Sequence, residues 1–209
     1  MTLAAQLSAG VNALGLEVGA EAQEKLLAYL ALMAKWNQVY NLTALRNPGE
    51  WVTHHLLDSL SVLPYVKGPV IADVGSGAGL PGLALAIARP DWQVFSVDAV
   101  DKKAAFQRQV VAELALANAS IEGCRVEGLV LNDGADTVVS RAFSSLTDFV
   151  NLTRHLLKSG GQWVAMKGKK PQEEIRLLPD DIRVVDIVQL KVPGLNAERC
   201  AVVMKKIEN

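Results

Sequence analysis

Residues 70–90 read VIADVGSGAGLPGLALAIARP. A short apolar run, Val70–Val74, enters a loop containing Gly75, Gly77, Gly79 and Gly82, and a helical pattern runs from Leu80 to Ala88. Strand, glycine loop and helix form the first unit of a parallel α/β sheet. The loop then lies at the carboxyl end of its strand, where such sheets bind ligands. Glycine permits positive φ and lets backbone approach a ligand closely. Pro81 suits the first turn of the helix, where a missing N–H costs nothing.

Toward the C-terminus, strand-like runs at Gln93–Asp98, Ile121–Val126, Asp136–Ser140 and Gln162–Met166 alternate with helical patterns at Lys102–Ala117 and Leu146–Leu157. Strands separated by crossover helices build a parallel sheet covered on both faces. The last two runs, RVVDIVQLKV and RCAVVMKK, are joined by Pro193-Gly194-Leu195-Asn196. That link is too short for a crossover helix, so the pair is antiparallel. The expected fold is α/β: a class I methyltransferase (Rossmann-like) sheet of seven strands, mostly parallel with one antiparallel strand.

Toward the N-terminus, Leu26, Leu30 and Met33 recur at helical spacing. Asn47-Pro48-Gly49-Glu50 reads as a helix start, with Asn47 as N-cap and Pro48 in the first helical position. That helix is expected to run to about Pro64, with Val52, Leu56, Leu60 and Leu63 inward and His54 and Asp58 one turn apart on the opposite face. The expected division is a helical extension over 1–66 and a ligand-binding domain over 67–209.

Half of the 209 residues are hydrophobic, enough for a sizeable core. The net charge of −1 means that any nucleic-acid binding must rest on local basic patches. Cys124 and Cys200 have no C-x-x-C spacing, a pattern of reducing compartments. The N-terminus lacks a basic signal region, and no apolar run is long enough to span a membrane. A cytoplasmic protein without membrane contact is expected, and nothing demands more than a monomer.

Two cofactors compete for the loop. Gly77–Gly82 fits the dinucleotide pattern G-x-G-x-x-G, which places a pyrophosphate on the helix N-terminus. Asp73–Gly79 fits D-x-G-x-G-x-G, the form used for S-adenosyl-L-methionine, which has no phosphate. The acid at its head, Asp73, together with the strand layout, favours the second. Asp98, ending the second strand, can accept ribose hydroxyls from either cofactor.

Methyl transfer from a sulfonium is an in-line displacement, so the nucleophile must be positioned and, if necessary, activated. The Asn/Asp-Pro-Pro-aromatic motif of amino-group methyltransferases is replaced here by Ser140-Arg141-Ala142-Phe143. Neither cysteine follows a proline, and both read as small buried strand residues rather than nucleophiles. A nucleophile with a free lone pair needs no activation, and guanine N7 is such an atom. A small-molecule methyltransferase, a nicotinamide dehydrogenase and a non-enzymatic RNA-binding module remain as alternatives.

Trp36–Thr43 (WNQVYNLT), His54–Leu60 (HHLLDSL), Gly79-Leu80-Pro81-Gly82, Ser140–Phe143 and Met166-Lys167-Gly168 occur in this order along nearly the whole chain. In this combination the sequence resembles the bacterial 16S ribosomal RNA guanine-N7 methyltransferases, the glucose-inhibited division protein B family. The resemblance implies methylation of a guanine in the 530 loop of 16S ribosomal RNA, free or in a small-subunit assembly intermediate. It places cofactor contacts at Gly75, Leu80, Val126, Glu127 and Arg141. Ala99 and Val100 depart from the pair expected after Asp98.

With the loop residues Asp73, Ser76 and Gly77 and the acid Asp98, these make up the expected cofactor site. Arg141 is expected to orient ligands rather than face N7, because the methylated base becomes cationic. Asn41 is a candidate for positioning near the target base. Lys167, Lys169 and Lys170 are candidates for RNA phosphates, and His54 for RNA contact. His54 and Asp58 alone make no metal site; a hydrogen bond between them on the helix surface is expected instead. Trp36 and Tyr40 are expected in the core rather than as a stacking platform.

Overall fold

A computed structural model describes residues 1–45 and 47–207. Its strands are β1 (Val70–Val74), β2 (Gln93–Val97), β3 (Ala119–Glu122), β4 (Ala135–Arg141), β5 (Leu157–Lys167), β6 (Ile182–Gln189) and β7 (Cys200–Lys206). They form one sheet in the order β3-β2-β1-β4-β5-β7-β6. The first five pair in parallel, and β7 runs antiparallel to both β5 and β6. Thus β7 is the single reversed strand, and edge strand β6 runs with the first five. Strand order reverses between β1 and β4, which sets a ligand crevice outside their carboxyl ends.

The helices are α1 (Leu3–Ala13), α2 (Ala20–Tyr40), α3 (Asp58–Leu60), α4 (Gly82–Ala88), α5 (Asp101–Glu113), α6 (Leu146–Thr153) and α7 (Gln172–Arg176). On one sheet face, Leu7 of α1 and Leu26, Tyr29 and Met33 of α2 share a core with Leu83 and Leu85 of α4 and Phe106 of α5. On the other, Phe149 and Val150 of α6 pack with Ala72, Val138 and Trp163. Each fully buried Leu or Phe contributes about 2 kcal/mol from its apolar area. With both faces covered, central strands read as continuous apolar runs rather than alternating ones.

The expected helix from Asn47 to Pro64 is corrected. Pro48–Glu50 is a 3-10 turn, Val52–Leu57 is π-helical, and α3 adds three residues. Of the expected inward residues Val52, Leu56 and Leu60 are buried and Leu63 is half-buried, but Thr53, His55 and Asp58 are buried too. Asp58 is only 2 % exposed, and the segment is buried nearly all round. The expected His54–Asp58 bond is therefore absent. His54 Nδ1 donates to the Glu50 carbonyl at 3.0 Å, and Asp58 turns to two arginines.

Smaller departures have local causes. Helix 146–157 is shorter than expected: α6 ends at Thr153 and a 3-10 turn over Arg154–Leu156 leads into β5. β3 ends at Glu122, which places Cys124 in a loop rather than a strand, while Cys200 is a buried β7 residue. Trp36 packs 5.5 Å from Phe106, but Tyr40, 42 % exposed, lies at the surface rather than in the core. α7 has no hydrophobic stripe in the sequence to announce it.

Candidate active site

The glycine loop leaves β1 and folds over the end of β2. The Gly75 and Ser76 amides both donate to the Val97 carbonyl, at 2.9 and 3.1 Å. Gly77 N donates to Asp98 Oδ2 at 2.8 Å, and Val100 N to Asp98 Oδ1 at 2.9 Å. From α5, Gln107 Nε2 donates to both Ser76 Oγ and the Gly77 carbonyl at 2.9 Å. From α2, the Tyr29 hydroxyl donates to the Ala78 carbonyl. Three elements distant in sequence hold one loop.

Gly75, with φ +68°, sits under the Phe143 ring: a Cβ there would lie 2.7 Å from Phe143 Cδ2. Asp73 is fully buried, and its Oδ2 accepts from Gly82 N at 2.6 Å. Its other oxygen, Oδ1, is buried without a partner. Burial pushes the Asp73 carboxyl up from 3.8 to about 7, only partly offset by the Gly82 amide and by Arg141. A buried carboxylate oxygen left open beneath a glycine loop suits a ligand bearing a positive charge.

Beside the loop is a cleft of about 260 Å³, lined by Gly75, Asp98, Ala99, Val126, Glu127 and Phe143. Val126 is buried and Glu127 exposed at the mouth of the cleft. One wall is apolar, Asp98 and Glu127 bring two carboxylates and Arg125 one cation, which suits a purine with a ribose. These residues fit an S-adenosyl group, and Asp73, fully buried behind the cleft, fastens the loop at the Gly82 amide. Cys124 also lines this cleft, its thiol pushed up by burial.

A second cavity, of about 510 Å³, is lined by His54, His55, Asp58, Arg141, Met166 and Arg199, among others. Asp58 is shared: Oδ2 accepts from Arg141 at 3.1 Å and Oδ1 from Arg199 at 3.1 Å. Arg141 also donates to the His54 carbonyl at 3.2 Å, on the π-helical turn. Such turns misalign carbonyls from the ordinary ladder and recur at functional sites. His55 is buried edge-on against Trp51, with neither ring nitrogen bonded. Burial first, then Arg141, lowers its imidazole to about 4, so it is neutral at physiological pH.

The structure brings Gly75, Asp98, Val126 and Glu127 to the cleft, and places Arg141, His54 and Lys167 around the second cavity. Asp73, Ser76, Gly77 and Leu80 lie within the loop and its support; Ser76 is buried, its hydroxyl taken by Gln107, and Leu80 is buried. Lys167 is not a free cation: its ammonium bonds Glu174 of α7 at 2.9 and 3.2 Å and the Ser144 carbonyl at 2.9 Å. Lys169 and Lys170 are exposed. Asn41 closes α2 in the left-handed conformation, φ 48°, and is exposed. Tyr29, Gln107 and Arg199 join the site without a motif to announce them, and Phe143, the last residue of the Ser140–Phe143 motif, joins it without an expected role. No group of three or more potential metal ligands occurs among the described residues.

The family model described as rRNA small subunit methyltransferase G matches residues 22–203. A protein of that name from Methylobacillus flagellatus is 55 % identical over 194 residues, covering 93 % of this chain and 94 % of its own length. Its namesake from Neisseria meningitidis serogroup B is 51 % identical over 202 residues, covering 96 % and 97 %. Among solved structures, a SAM-dependent methyltransferase from Aquifex aeolicus superposes with a TM-score of 0.59 at 19 % identity, over 78 % of this chain and 96 % of that one. M. jannaschii TYW2 in complex with AdoMet gives 0.54 at 14 % identity, over 72 % and 77 %. These two likenesses establish the class I methyltransferase fold.

Proposed function

The chain belongs to the rRNA small subunit methyltransferase G family, and from that premise we propose that it methylates N7 of a guanine in the 530 loop of 16S ribosomal RNA, with S-adenosyl-L-methionine as donor. The observation that carries the site assignment is one stretch of backbone. Arg141 and Ala142 line the larger cavity and the next residue, Phe143, lines the cleft. A donor in the cleft and a base in the cavity thus meet at this turn, in which Ala142 takes φ 57°.

When bound, S-adenosyl-L-methionine supplies an electrophilic methyl group. Asp98 and Glu127 would receive the ribose and adenine edges, Val126 would cover the ring, and the buried Asp73 holds the loop through the Gly82 amide. Gly75, Gly77 and Leu80 shape the loop. Guanine N7 presents a lone pair and loses no proton, so the chain needs no general base, only orientation. Arg141, held by Asp58 and the His54 carbonyl, keeps its charge fixed and partly neutralised while the base becomes cationic. His55 stays neutral and adds no repulsion.

The target nucleotide must leave its stack to enter the cavity. Lys169 and Lys170 on the rim then serve its flanking phosphates, and Asn41 and His54 approach from the helical side. The extension over 1–66 acts with the 67–209 domain as one unit, because α2 holds the loop. The working form is a monomer in the cytoplasm, acting on free 16S RNA or on an assembling subunit. No helix of the described residues is long and apolar enough to cross a membrane.

Primer extension after chemical cleavage at N7-methylguanine tests this reading. Ribosomal RNA from a strain lacking its own enzyme gains the 530-loop stop when this chain is expressed. An unchanged pattern, with the chain present and folded, overturns it.

A further inference from the structure

A cleft of about 680 Å³ lies away from the catalytic end, where β5 begins and β7 finishes. Five cations line it: Arg154, Lys158, Arg183, Lys205 and Lys206. Two have carboxylates, Arg154 with Asp181 at 2.6 Å and Lys158 with Asp136. Arg183, Lys205 and Lys206 form no ion pair among the described residues.

Arg183 and Lys205 are also direct partners across the antiparallel β6–β7 ladder. Like charges placed directly opposite destabilise a sheet pair. In a chain of net charge −1, two cations without an ion pair among the described residues, Arg183 and Lys205, thus face each other where they oppose folding, while Lys206 is near enough to Asp181 to join Arg154 in lowering its carboxyl. On the catalytic rim Lys167 is bound to Glu174, and Arg141 and Arg199 share Asp58, which leaves Lys169 and Lys170 for phosphates there.

We propose that this cleft binds a phosphodiester of the RNA substrate, as a second anchor remote from the reacting base. The proposal rests on the RNA reading above. β5 runs from the cleft to the catalytic rim over 11 residues. Because β5 bulges against β4, which covers the same length from Ala135 to Arg141, about 3.3 Å per residue puts the separation on the order of 20 Å. A fragment holding only the target base and its neighbours cannot engage both ends, whereas folded 16S RNA can. Anchoring at two separated places selects a folded RNA surface rather than a sequence, which suits a chain with no global positive charge.

The test compares wild type with the triple variant Arg183→Gln, Lys205→Gln, Lys206→Gln on small-subunit particles from a strain lacking the enzyme. The variant is expected to show a KM raised roughly tenfold with kcat unchanged, and a log KM against log salt slope lower by about 2. S-adenosylhomocysteine affinity and turnover of a short guanine-containing RNA stay at wild-type values. Melting temperature holds or rises as the cross-strand repulsion disappears. Unchanged KM and salt slope on the particle overturn the anchor, and so does an equal loss on the short RNA. If the triple variant fails to bind S-adenosylhomocysteine, Lys205→Gln alone carries the test, with a slope change of about 0.7–0.9 expected and no change contradicting it. Failure of wild type to methylate the particle at all contradicts the RNA reading instead.

Discussion

The Tyr29 hydroxyl, carried on the second helix, donates to the Ala78 carbonyl at the crown of the glycine loop. Tyr29 is fully buried, stacks 6.2 Å from Phe106, and its hydroxyl is pushed far above the ordinary phenol value by that burial. The N-terminal helices thereby reach the cofactor loop directly. Removing this one donor takes a hydrogen bond from a partly buried carbonyl, a loss of about 1 kcal/mol. Tyr29→Phe is expected to lower the melting temperature and weaken S-adenosylhomocysteine binding several-fold in calorimetry, with kcat at saturating donor near wild type. Unaltered affinity would separate the helices from the loop.

Asp58 is the shared partner of Arg141 and Arg199, 3.1 Å from each. Asp58→Ala strands two partly buried guanidiniums, costing about 3 kcal/mol. For a chain of this size that is roughly 6–12 °C in melting temperature. Because Arg141 also loses its orientation, kcat is expected to fall at least about tenfold. Calorimetry should show donor affinity within about threefold of wild type, since Asp58 lies in the other cavity. Equal losses in donor binding and kcat would contradict the separation of the two sites.

Gly75→Ala forces a Cβ to 2.7 Å from the Phe143 ring at a backbone φ of +68°. The strain costs about 1–2 kcal/mol before the clash is counted. Donor binding should be lost in equilibrium dialysis. The double variant Gly75→Ala, Phe143→Ala should recover part of the stability, because it removes the clash but not the backbone strain. Full recovery would place the whole effect in the ring.

The pH dependence follows from two buried groups with opposite consequences. Asp73 titrates near 7 in the fold and near 3.8 unfolded, so its contribution is fully present below about pH 4 and is lost as pH rises through 7. Asp73→Asn should therefore gain stability relative to wild type over that window in the ligand-free protein. His55, lowered from 6.5 to about 4, works in reverse: its contribution is present above about 6.5 and is lost as pH falls toward 4. His55→Phe should flatten the acid arm of the melting profile. Binding a cationic donor beside Asp73 should release a proton near pH 6, seen as a binding heat that depends on buffer ionisation enthalpy.

The sheet was legible because its signals are local. Val70–Val74, the glycine loop and the alternation after it need no distant partner to be read, and the paired end strands follow from one short turn. Gly75 and Asp98 were legible for the same reason, since each directly follows a strand, whereas Val126 and Glu127, on a 3-10 turn beyond the end of β3, were placed by the family resemblance. What stayed hidden depends on contacts across the chain. Nothing near Asp58 announces Arg199, which meets it 141 positions later. The π-helical turn and the buried His55 arise because the segment is enclosed all round, whereas sequence periodicity implied a solvated face. Lys167 looked like an RNA contact until Glu174 took its ammonium, and α7, which supplies that glutamate, is too short to leave a periodic trace.

The most direct test of the two-cavity arrangement is a crystal structure with S-adenosylhomocysteine and a guanine-containing oligonucleotide. The account predicts adenine against Val126, ribose on Asp98, and the guanine beside the Arg141–Phe143 turn with N7 toward the sulfur. A donor bound elsewhere, or a guanine seated away from Arg141, would contradict it.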